Sequence, residues 1–115
     1  MFTGNQLSII SSFVKDNGLI IKEIENTCLI YDETFSNRID SIKNFIWHLH
    51  QDVIDDAVPE EFVIETINTL LCKLVCYRNS YNNFNHGTCG HEMYKVMNSL
   101  VDKTNESYKD FFETI

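Results

Sequence analysis

A mostly α-helical fold, a compact bundle of about four helices with room for one short β-hairpin, is what this sequence predicts. Three observations predict it. Apolar residues recur at three- and four-residue steps over four long stretches, most of those stretches open on a capping residue or a proline, and 43% hydrophobic content in 115 residues fills one core without staples. Residues 1–115 therefore read as a single helical domain.

The first helix is announced by Thr3 and Gln6, which have the spacing of a capping box, with Phe2 and Leu7 placed as a hydrophobic staple around it. Leu7, Ile10 and Val14 form its stripe, and Ile9 and Phe13 widen it. Gly18 after Asp16 and Asn17 is a left-handed stop signal, so the helix is expected over residues 4–17. Residues 19–31 read two ways. Their β-branched content favours a hairpin, but Glu25-Asn26 is a weak turn and a lone two-stranded sheet is marginal, so a short helix stands as the alternative.

Ser36 is a cap for a second helix whose Ile39, Ile42, Ile46, Leu49 and Val53 face the core, with Phe45 at the edge of the stripe. That helix should end near Asp56, because Val58 precedes Pro59 and is pushed toward extended geometry. Pro59 suits the first position of a third helix, and Glu60 and Glu61 complement its positive end. Val63, Ile64, Ile67, Leu70, Leu71, Leu74 and Val75 wrap about half of its circumference, the pattern of a central helix. An Asn-rich loop, Asn79 to Gly87, follows. Thr88 then caps a fourth helix that places Met93, Val96, Met97, Leu100, Thr104, Tyr108, Phe111 and Ile115 on one face. Its opposite face, from Glu92 and Lys95 to Glu113, is polar throughout.

Charge narrows the partners. With 9 Lys and Arg against 17 Asp and Glu, the net charge of -8 disfavours nucleic acid and anionic membrane surfaces, whose binding draws on basic groups. A basic protein partner fits better. No apolar run approaches the roughly 18 residues of a membrane span, and the first residues lack the basic start of a signal peptide, so a soluble cytoplasmic protein is expected. Cys28, Cys72, Cys76 and Cys89 are too dispersed for a disulfide scaffold and are expected to be reduced.

Candidate chemistry is sparse. Cys72, Cys76, Cys89 and His91 have the residue types of a structural zinc site, but two thiols on one continuous helix depart from the usual short loop-borne pairs, and no metal or cofactor is expected. His48 and His50 stand about 200° apart on a helix and cannot share a ligand. A Cys89 and His50 nucleophile pair has no local signature, no glycine-rich phosphate loop occurs, and no carboxylate pair lies in an apolar setting, so no enzyme is expected.

What stands out is a cluster of carboxylates. Between Lys43 and Lys73 there is no Lys or Arg, while Asp52, Asp55, Asp56, Glu60, Glu61 and Glu65 crowd the corner between the second and third helices. A solvated helix corner is the plain account. The sharper one is a docking surface for a basic protein, with Trp47 as an aromatic anchor beside it. The function expected is an acidic, non-catalytic binding module of inhibitor or immunity type that neutralises a basic partner such as a nuclease toxin. A viral-type adaptor that receives an amphipathic helix in an apolar groove, and a small zinc-binding regulator, are the alternatives.

Overall fold

The computed structural model describes every residue from Met1 to Ile115. Four α-helices follow one another: α1 (Gly4–Ile24), α2 (Glu33–Ile54), α3 (Glu60–Asn79) and α4 (Cys89–Phe112), with a 3-10 turn at Cys28–Tyr31 between the first two. There is no strand. The connections are too short for crossovers, so successive helices run antiparallel. α1 packs on α2 and α4, and α3 on the same two, closing a bundle of 45 × 22 × 17 Å.

Residues 19–31 form neither the hairpin nor a separate short helix: α1 runs on through Gly18 to Ile24, and the 3-10 turn follows at Cys28–Tyr31. Asn17 is wholly buried, and its Nδ2 donates back to the Phe13 carbonyl at 2.8 Å. Continuing the helix carries Ile21 and Ile24 onto the buried stripe of Ile10, Phe13 and Asn17. Burying two isoleucines is worth about 1.5–3 kcal/mol each, against about 1 kcal/mol for a glycine inside a helix, so packing overrides the stop signal. The buried face also differs from the expected stripe: Gln6 points inward and Leu7 is 41% exposed. The Thr3 capping box itself is present, with Gln6 N–H donating to Thr3 Oγ1 at 3.1 Å and Thr3 N–H to Gln6 Oε1 at 2.9 Å. Gln6 Nε2 also donates to Thr114 Oγ1 at 3.0 Å, which fixes the glutamine inward and ties both ends of the chain together.

α2 begins a turn before Ser36. Asp32 is its cap, its Oδ1 accepting from Phe35 N–H at 2.8 Å. The earlier start puts Phe35, which has no exposed surface, at the head of the Ile39, Ile42, Ile46, Leu49 and Val53 stripe. At its other end Asp56 adopts a left-handed conformation with φ 51°. Ala57 N–H donates to the Asp52 carbonyl at 2.9 Å and Asp56 N–H to the Val53 carbonyl at 3.2 Å, a Schellman motif with aspartate where glycine is usual. Pro59 is the cap residue of α3 and lies one position before its first turn.

Only Val63, Ile67, Leu70 and Leu74 of α3 are fully buried, and Ile64, Leu71 and Val75 pack at its margins. α3 is not the central helix: it packs on α2 and α4 alone, whereas α2 and α4 each touch α1, α3 and the 3-10 turn. Thr88 caps α4 as expected, accepting from His91 N–H at 3.2 Å. Met93, Met97, Leu100, Thr104 and Phe111 are buried, but Ile115 lies beyond the helix and is exposed. From the Asn-rich loop, Tyr81 turns into the core edge-on to Phe35, with ring centroids 6.0 Å apart. The Arg38 guanidinium lies over Tyr77 and Tyr81, at 5.0 and 5.2 Å.

Candidate functional site

The antiparallel order brings the start of α1, the end of α2, the start of α3 and the end of α4 to one end of the bundle. All six carboxylates gather toward that end, on the α2–α3 corner. Asp52 sits in the last full turn of α2, Asp55 caps that helix, and Asp56 holds the left-handed turn. Glu60 and Glu61 occupy the first turn of α3, and Glu65 follows a turn later. A cation does approach: the Met1 ammonium stands 3.6 Å from Asp56 Oδ1, in an exposed pair. Exposed pairs contribute little to stability, so the corner keeps its excess negative charge.

Between α2 and α3 runs a groove of about 390 Å³ lined by Phe45, His48, Leu49, Asp52, Phe62, Glu65, Thr66 and Thr69. Its floor is apolar, and two of the six carboxylates, Asp52 and Glu65, stand on its walls. Asp55, Glu60 and Glu61 belong to the α2–α3 connection and the helix ends beside it, and Asp56 instead lines a separate hollow with Met1, Phe2 and Leu7. The periodic pattern of α3 pointed elsewhere, because Phe62 falls off the core stripe. An aromatic on the polar side of an amphipathic helix, 42% exposed here, is the one signal in the sequence that could have found the groove.

Trp47 is exposed, at 58%, but it does not border the acidic corner directly. It lines a second groove of about 380 Å³ between α1 and α2, with Val14, Ile21, Ile46 and His50. Its ring meets His48 edge-on at 5.1 Å, so the two form a ridge on α2 separating one groove from the other. Lys43 and Glu25 pair at 3.0 Å across the outer end of the second groove.

The zinc set is not assembled. Cys72 and Cys76 are exposed on α3, while Cys89 opens α4, against which the 3-10 turn that starts at Cys28 packs. No three His, Cys, Asp or Glu side chains converge as a metal would require. The neighbouring Cys28 thiol pushes the ionisation of Cys89 up, first by a hydrogen bond and then by its charge, and Glu92 adds to the effect. Cys89 and His50 lie on different elements in opposite halves of the bundle, so they form no nucleophile pair. His86 and His91 meet with ring centroids 4.1 Å apart beside the α4 start.

These features define a four-helix bundle carrying an acidic corner beside an apolar groove. Comparison with protein-family models, curated proteins and solved structures finds no match to the chain. No helix is long and apolar enough to cross a membrane.

Proposed function

We propose that this chain is a non-catalytic acidic binding module that captures a basic protein at the α2–α3 corner, in the manner of a small inhibitor or immunity protein that neutralises a nuclease toxin. The observation that carries the reading is the acidic α2–α3 corner beside a groove lined by Phe45, Leu49 and Phe62, with Asp52 and Glu65 on its walls. An apolar floor ringed by charge is the anatomy of a protein interface: the floor supplies affinity and the charged rim supplies steering and register. A patch that mimics the charge of a polyanion suits a target whose own site is basic.

The test begins with a pull-down to identify the partner, followed by association rates at low and high salt. Reversing Asp55 and Glu61 to Lys should slow association at low salt by about tenfold or more and flatten its salt dependence, with helical content intact. Equal rates at low salt would remove the corner from the binding surface and shift attention to the exposed end of α4 around Tyr108 and Phe112. The groove between α1 and α2 favours a second reading, an adaptor that receives an amphipathic helix against Val14, Ile21, Ile46 and Trp47. Binding there would fall with Trp47→Ala and change little with salt. The zinc-regulator reading has no assembled ligand set to rest on.

A further inference from the structure

At the end of the bundle away from the acidic corner, two segments from distant parts of the chain that each carry a cysteine pack together. Cys28 opens the 3-10 turn and Cys89 is the first residue of α4. The turn packs directly on α4. On either side of Cys28, Thr27 and Leu29 line the same surface cleft as Glu92, Lys95 and Val96 of α4, so the backbones around the two thiols face each other. Leu29 is buried in the core and anchors the turn, while both thiols stay exposed and open to reagents.

We infer that Cys28 and Cys89 form a reversible disulfide clasp between the α1–α2 connection and the start of α4. The chemistry is thiol–disulfide exchange with a small-molecule disulfide of the glutathione class. One cysteine thiolate attacks a sulfur of the external disulfide, forming a mixed disulfide and releasing one external thiolate. The second cysteine, as thiolate, attacks the protein-side sulfur of that mixed disulfide and releases the other. Two protein thiols lose two protons and two electrons, and one external disulfide is reduced to two thiols. Cys72 and Cys76 provide an internal contrast. They are four residues apart on one helix, where Cβ atoms are about 5–6 Å apart, whereas a disulfide needs about 3.5–4.5 Å. They should stop at the mixed disulfide.

The clasp encloses α2 and α3 in a covalent loop, so it should stabilise the fold chiefly by restricting the unfolded chain. It lies apart from the α2–α3 corner, so its test is independent of the binding reading. The reduced full-length protein is incubated with oxidised glutathione, quenched by alkylation, digested and analysed by mass spectrometry, with chemical denaturation in parallel. The expected result is a peptide pair joined through Cys28 and Cys89, glutathione retained on Cys72 and Cys76, and a denaturation midpoint that rises on oxidation and returns on reduction. Cys28→Ser and Cys89→Ser should each leave a stable glutathione adduct on the remaining partner and abolish the rise. Stable adducts on both cysteines of the unmutated protein, or a bond joining a different pair, would overturn the inference.

Discussion

Thr3 and Gln6 show how much two side chains can fix. They satisfy backbone donors at the start of α1 by reciprocal hydrogen bonds, and Gln6 reaches on to Thr114. Thr3→Ala should therefore cost about 1 kcal/mol, read as a lower denaturation midpoint; an unchanged midpoint would show that the box adds nothing. Other residues are less well served. Asn17 Oδ1, Tyr81 Oη and Thr104 Oγ1 are buried without a hydrogen-bond partner. Cys89 bears on pH. The start of a helix usually favours a thiolate, but the adjoining Cys28 thiol outweighs this and raises the ionisation of Cys89. Its proton is thus held more tightly in the folded chain than in the unfolded one. Stability from this group is unaffected below the free-thiol range near pH 8.5, falls as pH rises through it, and levels off above the raised folded value. Cys89→Ser should flatten that alkaline fall in denaturation experiments, and a fall of equal slope in the variant would assign it to another group.

Among the elements, α1 departs most from its sequence signals. Gly18 lies inside the helix, exposed, and a methyl group added there would meet nothing within 4 Å. Alanine should accordingly raise stability by about 0.5–1 kcal/mol, because glycine in a helix interior loses the most backbone entropy on folding. Were Gly18→Ala to lower the denaturation midpoint, the helix would have to break at that point as the Asp16-Asn17-Gly18 signal implies. Gly90 is the opposite case: a Cβ there would collide with the Phe84 ring, so the close approach of the Asn-rich loop to α4 requires glycine. The α2–α3 connection shows a third pattern. An aspartate takes the left-handed position of its Schellman motif, which keeps a carboxylate on the corner where glycine would fit more easily.

At the scale of the molecule, charge is unevenly spread. The six corner carboxylates lie toward one end of a body 45 Å long, whereas Lys22, Arg38, Lys43, Lys73, Arg78 and Lys95 occupy the middle and the other end, and Lys109 in the last turn of α4 shares the acidic end. Like charges at the corner repel one another, and added salt screens them over about 10 Å at 0.1 M. The denaturation midpoint should therefore rise between low and moderate salt, and the Asp55→Lys, Glu61→Lys double change should reduce that rise while leaving the protein at least as stable. A rise of the same size in both proteins would mean that the corner carries no significant repulsion.

By itself the sequence determined the number of helices, the Thr3 and Thr88 caps, the stripe of α2 from Ile39 to Val53 and the acidic corner. Each depends on neighbours a few residues apart, and three- and four-residue spacing together with side-chain capping is a local matter. Tertiary structure decided what local signals left open or mis-stated. It carried α1 through Gly18 because Ile21 and Ile24 had a core to enter, and it moved the start of α2 back to Asp32 because Phe35 did. It set Phe45, Leu49 and Phe62 around one groove, placed Trp47 on another, and packed the turn that carries Cys28 against the helix that Cys89 opens. Those outcomes depend on which helix faces which, and no short window of sequence contains that information.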